Sequence, residues 1–189
     1  MKTIDPLQRE TTIEYHTTGQ ADGLPWKVIA PNGDTTFTYY DAYGSPNAIV
    51  RPDGSEVAMT YNARGDLLDS TTTAAGDPNT HSVSFTYDAN RRLLTSTDAL
   101  GFATTKTYDP AGNLEAVEDR AGNVASFTYS AWGRKLTATA PSGAITHFGY
   151  DRAGRSSTVT DALGQVTRFG YDHAGRLTTT TDPLEQVVA

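Results

Sequence analysis

Tyr108-Asp109-Pro110-Ala111-Gly112-Asn113-Leu114 is the stretch whose reading decides the fold, because the chain restates it, slightly altered, almost from end to end. The frame of Tyr, turn former, two residues and Gly begins at Tyr15, Tyr40, Tyr61, Tyr87, Tyr108, Tyr129, Tyr150 and Tyr171, and the last four intervals are each 21 residues. Eight of the ten tyrosines occupy this one position. Self-similarity at a fixed period of this length marks a repeat architecture.

Each repeat contains two turns. The first follows the Tyr: its opening position holds His16, Asp41, Asn62, Asp88, Asp109, Ser130, Asp151 and Asp172, and the fourth position is Gly in seven of eight repeats, with Arg91 the exception. Asp, Asn and Ser can bond a nearby backbone N–H, and Gly accepts a positive φ that other residues resist. The second turn approaches Asp-Pro-x-Gly. It is read at Asp5-Pro6, Pro31-Asn32-Gly33, Pro52-Asp53-Gly54, Asp77-Pro78, Asp98-Ala99-Leu100-Gly101, Asp119-Arg120-Ala121-Gly122, Pro141-Ser142-Gly143, Asp161-Ala162-Leu163-Gly164 and Asp182-Pro183. Proline's fixed φ suits the second position of a type I turn.

If both turns reverse the chain, the six or seven residues between them are extended, since they are too short for helices and match the usual strand length. They also alternate. Two residues before each Tyr stand Ile13, Thr38, Met59, Phe85, Lys106, Phe127, Phe148 and Phe169, and four before it a small or β-branched residue, so these share a face with the Tyr. The opposite face carries Thr105 and Thr107, Ser126 and Thr128, His147 and Gly149, Arg168 and Gly170. The strand after each Tyr turn is less regular, with Leu67, Leu93, Leu114 and Leu177 but also Pro46, Lys135 and Ser156 at its head. Two longer intervals, around Gln20 to Lys27 and Ser70 to Gly76, are read as lengthened loops. The expected fold is all-β: an antiparallel meander of roughly sixteen strands in one repeat array over residues 1–189, whose length should make it twist and curl.

Composition narrows the function. The 189-residue chain is 37% hydrophobic and 20% charged, as folded domains are. No apolar run approaches the roughly 18 residues of a spanning helix, and Met1-Lys2-Thr3-Ile4-Asp5 leads into repeat material without a signal-peptide core. A net charge of -7 with arginines and lysines scattered singly argues against nucleic acid as a partner. The absence of cysteine removes disulfides, thiolate metal sites and thiol nucleophiles.

Tyr150-Asp151-Arg152-Ala153-Gly154-Arg155 and Tyr171-Asp172-His173-Ala174-Gly175-Arg176-Leu177, preceded by the turns Pro141-Ser142-Gly143 and Asp161-Ala162-Leu163-Gly164 and each by a strand ending Phe-Gly-Tyr, resemble the RHS repeat, also called the YD repeat. The resemblance covers essentially residues 5 to 189. It implies a strip of β-hairpins that winds as a spiral into a hollow shell. In bacterial RHS and toxin-complex proteins such a shell encloses a C-terminal toxin that self-cleavage releases. In animal teneurins a similar barrel serves adhesion, and carbohydrate binding has been proposed for some YD repeats. No self-cleavage segment, toxin domain or delivery module is visible in this chain, which is read as a fragment of a longer array.

Repeated residues are poor candidates for chemistry. The aspartates are read as turn formers: a calcium ion wants six to eight clustered oxygens, and successive aspartates on one edge are two strands apart. The tyrosines are read as packing residues, with cross-strand aromatic neighbours contributing roughly 0.2 to 1 kcal/mol per pair. Tyr108, Asp109, Gly112, Tyr150, Asp151, Gly154, Tyr171, Asp172 and Gly175 are therefore structural repeat positions. Trp26 and Trp132, off the repeated Tyr position, are the candidate glycan contacts. His16, His81, His147 and His173 lack zinc-site spacing and are read as solvated. With no nucleophile elbow, P-loop or dinucleotide fingerprint, neither an enzyme nor a cofactor is expected. The reading is a wall segment of an RHS-type shell, secreted or cell-surface within a full-length protein and otherwise cytoplasmic before export. Its partners would be further repeats and an enclosed toxin polypeptide, without nucleic acid or membrane insertion. The alternatives are an adhesive module that binds a cell-surface glycan, and a truncated remnant.

Overall fold

The computed structural model of the chain describes residues 1–19, 21–77 and 79–188. Gln20 in the first long interval, Pro78 of the expected Asp77-Pro78 turn and the terminal Ala189 lie outside the described residues. The chain falls into two compact units, Met1–Ala103 and Thr104–Ala189.

In the first unit β1 (Lys2–Ile4), β2 (Glu10–Tyr15), β3 (Pro25–Ile29), β4 (Thr35–Tyr40), β5 (Pro46–Val50), β6 (Glu56–Tyr61), β7 (Leu67–Thr73), β8 (Thr80–Tyr87) and β9 (Leu93–Asp98) form a meander. Each strand pairs antiparallel with the next. The second unit repeats the plan with β10 (Ala103–Tyr108), β11 (Leu114–Glu118), β12 (Val124–Tyr129), β13 (Lys135–Thr139), β14 (Ile145–Tyr150), β15 (Ser156–Thr160), β16 (Val166–Tyr171), β17 (Leu177–Thr181) and β18 (Val187–Val188). The described residues contain no helix. Their eighteen strands exceed the expected sixteen because the Asp5-Pro6 and Asp182-Pro183 turns are each flanked by a further short strand, β1 and β18.

Both kinds of turn close the same way. At the Tyr turn the Gly112 N–H donates to the Asp109 carbonyl and the Asp109 N–H to the Asn113 carbonyl, both at 2.9 Å; at the other turn Gly122, Asp119 and Asn123 repeat the pattern at 2.9 Å. This is the bonding of a three-residue hairpin loop whose last residue is left-handed, and Gly112 has φ 94°. Arg91 takes the left-handed conformation too, at φ 66°, as do Gln8 at 61° and Glu185 at 62°. The expectation that glycine alone needs positive φ here is therefore corrected: hairpin closure imposes the conformation on whatever residue stands there.

The two hairpin types differ one step beyond the loop. Thr107 pairs with Ala116 but Tyr108 with Leu114, which leaves one extra residue on the following strand. The same bulge stands at Tyr15, Tyr40, Tyr61, Tyr87, Tyr129, Tyr150 and Tyr171, and at none of the other hairpins described. It re-aims the strand, so that Leu114 and Val117, rather than Leu114 and Ala116, share the face of Tyr108 and Lys106.

The long intervals resolve differently. In the first, the described residues between His16 and Leu24 lie outside any strand and the His16 N–H donates to the Leu24 carbonyl at 2.9 Å, but Pro25, Trp26 and Lys27 belong to β3. In the second, Ser70 to Thr73 extend β7 to 7 residues opposite an 8-residue β8, and the chain reverses at Ala74-Ala75-Gly76-Asp77. Expected as a loop, the insertion is a longer hairpin, because Thr71, Thr72 and Thr73 are β-branched and find partners in Ser82, His81 and Thr80.

Among the described residues no hydrophobic side chain is fully buried; the buried residues are Ser55 and Asp66. Each unit is one sheet thick, held by backbone ladders and turn side chains rather than by a core of its own.

Candidate functional site in the Tyr turns

The repeated positions converge on one another. Asp109 Oδ1 accepts the Asn113 N–H at 2.8 Å while its Oδ2 accepts the Asn113 side-chain amide at 2.9 Å. Asp151 and Asp172 make the same pair of contacts with arginine: Arg155 N and Nε at 2.9 and 2.7 Å, Arg176 N and Nε at 2.8 and 2.7 Å. The residue following the turn Gly is thus a partner of the turn Asp, a role readable in Asp-x-x-Gly-Arg/Asn that the sequence reading did not assign. These donors hold the carboxyls below their ordinary range: the Asn113 side-chain amide first for Asp109, the backbone N–H of Arg155 for Asp151 and that of Arg176 for Asp172.

One turn inverts the arrangement. Asn62 opens it, its Oδ1 accepting the Arg64 and Asp66 N–H groups at 2.8 and 3.0 Å, and its amide donates to Asp66 Oδ2 at 2.9 Å. The carboxylate has moved to the far end of the loop, where Arg91 of the next Tyr turn meets its Oδ1 at 2.6 Å. Asn62 is a swap of roles with compensation.

Three of the tyrosines reach back to the preceding Tyr hairpin. The hydroxyls of Tyr40, Tyr61 and Tyr150 donate to the carbonyls of Pro25, Pro46 and Lys135 at 2.7, 2.8 and 2.9 Å. Those acceptors head the bulged strands. Arginines join turns in the same direction: Arg155 lies 4.6 Å over the Tyr171 ring and its Nη1 is 3.3 Å from the Asp172 carbonyl. Arg134 lies 5.8 Å from the Tyr150 ring and crosses above Gly154, where any Cβ would strike its guanidinium. Gly154 is fixed twice, by φ 86° and by that crossing, while a Cβ on Gly175, at φ 82°, would meet Arg155 Nη1 only in ordinary contact at 3.8 Å.

The two tryptophans part company. Trp26, expected in a loop, sits half-buried in β3, its ring 6.3 Å from His16 and 5.8 Å from Phe37. The pairing of Tyr15 with Pro25 draws it into the sheet. Trp132 projects from its turn, 85% exposed. His16, expected in solvent, packs edge-on to Tyr40 at 5.8 Å with Nε2 buried and without a partner, because loop closure on Leu24 folds it inward. His81, His147 and His173 are exposed. Among the described residues no three His, Asp or Glu side chains gather as a metal site, and no helix is long and apolar enough to cross a membrane.

Residues 108–145, 129–162 and 150–187 each match the family model of the RHS Repeat. No curated protein matches the chain. Among solved structures it is similar to the TcdB2-TccC3 crystal structure, at 17% identity over 92% of this chain and 14% of that one, with a TM-score of 0.49. It is also similar to the Tc holotoxin pore of Photorhabdus luminescens, at 17% identity over 92% and 14%, with a TM-score of 0.47. The chain thus spans 14% of the length of the chains it matches.

Proposed function

We propose, from the premise that residues 108–187 of this chain are RHS repeats, that the chain is a non-catalytic wall segment of a shell that encloses a toxin polypeptide and helps deliver it in bacterial secretion or competition. The observation that carries this is the sheet without a core. A layer of this kind normally stabilises itself against a second layer, yet among the described residues no hydrophobic side chain is buried. Its cohesion comes instead from contacts between neighbouring hairpins, which make a thin, continuous surface suited to lining a volume.

On this reading the eight Tyr-anchored repeats act as one array. Their partners are further repeats and the enclosed chain, and the compartment is that of the full-length protein after export. The adhesive, glycan-binding alternative rests on Trp132, since Trp26 is engaged with His16 and Phe37.

Protease protection tests the proposal. The full open reading frame containing this chain is expected to shield its non-repeat polypeptide from a protease that digests the same polypeptide expressed alone. Digestion at equal rates would overturn the containment role.

A further inference from the structure

We propose that the second unit carries a docking surface for a second copy of this chain, in which Trp132 of one copy seats in the groove between Leu163 and Leu184 of the other. This does not depend on the shell reading.

The meander gives the unit two edges, one made of Tyr turns and the other of the intervening turns. The second carries exposed leucines at one repeated place, the third position of the turn: Leu163 is 83% exposed and Leu184 78%. Turn chemistry does not call for leucine there, where Asn, Asp, Ser and Gly serve better, and the same position holds Ser142 in a neighbouring turn. Between the two leucines lies a groove of about 610 Å³ whose wall includes Val166, Arg168, Pro183 and Glu185. Its lining mixes these apolar groups with polar ones, Gln165, Asp182 and Glu185 among them, and the Arg168 in its wall offers an indole a cation–π partner beside the two leucines.

The opposite edge supplies the indole. Trp132 stands at the third position of its own turn, 85% exposed, and Arg152 is the second residue of the adjacent turn one repeat further on. Neighbouring turns on either edge are two strand spacings apart, about 9.6 Å, so a Trp and Arg on one edge match a groove and an acidic turn on the other. Charge agrees. Among the turn residues of the Tyr-turn edge Arg134, Arg152, Arg155 and Arg176 outnumber Asp109, Asp151 and Asp172, whereas among those of the leucine edge Asp119, Asp161, Asp182 and Glu185 outnumber Arg120, with Arg168 on the strand behind them. An exposed Trp flanked by arginines is the composition of an interface anchor. Because the two surfaces differ, the contact is heterologous, and each copy keeps one of each free to continue the association.

Sedimentation of the full chain at rising concentration tests this. The expected result is a mass that grows with concentration and shrinks with salt, and an association weakened about tenfold or more by Trp132→Ala and by the double change Leu163→Asp with Leu184→Asp. Tyr43→Ala, at the equivalent turn position of the first unit and 87% exposed, should leave association unchanged. Mixing the two impaired variants should restore a single contact and yield a dimer that grows no further, because one retains the groove and the other the Trp. A monomer throughout, an equal loss with Tyr43→Ala, or no dimer on mixing would overturn the proposal. So would a monomer that binds an oligosaccharide through Trp132.

Discussion

The Tyr150 hydroxyl donates to the carbonyl of Lys135, 15 residues earlier, at 2.9 Å, and that carbonyl belongs to the residue that pairs with Tyr129 at the bulge of the preceding hairpin. The repeat therefore couples along the chain through its most regular residue. The Tyr is placed by its own turn, and its hydroxyl ties down the strand displaced by the turn before.

Removing that hydroxyl should cost about 1 kcal/mol, the usual net worth of one hydrogen bond. Tyr150→Phe keeps the ring under Arg134 and is expected to lower the thermal midpoint modestly. Tyr150→Ala also loses the ring and should cost about 3 kcal/mol or somewhat less for this half-buried site. Thermal unfolding followed by circular dichroism separates the two, and equal shifts would show that the hydroxyl carries nothing.

Left-handed positions give a test with opposite signs. Gly112→Val places a β-branched residue at φ 94° and should destabilise by about 1 to 2 kcal/mol or more. Glu185→Gly should do the reverse, relieving a similar strain at φ 62° less about 0.5 to 1 kcal/mol for the freedom a glycine has in the unfolded chain. Arg91→Gly gains the same relief but loses the 2.6 Å contact with Asp66, so it should lie near neutral, with Arg91→Ala below it. Denaturant midpoints rank the four, and a stabilising Arg91→Ala would contradict the role given to that ion pair.

Acid should loosen the turns. Donors at Asp88, Asp109, Asp119, Asp151 and Asp172 lower their carboxyl pKa in the folded chain, chiefly through the backbone N–H of Arg92, the Asn113 side chain, the Asn123 side chain, and the backbone N–H groups of Arg155 and Arg176. A depressed folded pKa means that the stabilisation is complete above the unfolded carboxylate value of about 3.9 and is lost as the pH falls below it toward the folded values. Stability between pH 5 and 7 should be flat in these groups and then fall steeply below about pH 4. The Asp151→Asn and Asp172→Asn variants should show a shallower fall. Denaturant midpoints across that range give the measurement, and an unchanged slope in the variants would remove these turns as its source.

Much of this was legible because turn chemistry is local. Asp109 and Gly112 declare the reversal in four residues, and Phe148 two places before Tyr150 declares the strand. The bulge was not legible, since an extra residue opposite Tyr108 leaves no mark except that apolar character skips from Leu114 to Val117, which breaks the period of two and makes the strand look irregular. Trp26 was misplaced for a related reason: Gly23 and Pro25 read as loop, but the pairing of Tyr15 with Pro25 is a long-range choice. Arg91 shows the limit of composition at a turn, because its positive φ is imposed by hairpin closure while its guanidinium finds Asp66 25 residues away.

The polar face offers a substitution that should strengthen the sheet. Thr86 and Thr95 face each other across β8 and β9 with their hydroxyls 2.6 Å apart, and Thr128 and Thr137 do the same across β12 and β13. At the equivalent place in the next repeat Gly149 faces Thr158, and a Cβ built on Gly149 would collide with Thr158 Oγ1. The obstacle is one rotatable hydroxyl rather than backbone, so Gly149→Thr can be admitted by a χ1 change at Thr158 that recreates the paired threonines. The gain combines a cross-strand pair worth roughly 0.2 to 1 kcal/mol with the removal of a strand glycine worth roughly 0.5 to 1 kcal/mol. Gly149→Thr should raise the thermal midpoint, and adding Thr158→Ala should cancel the part owed to the pair; a Gly149→Thr variant that melts lower would show that Thr158 is held in its present rotamer by its neighbours.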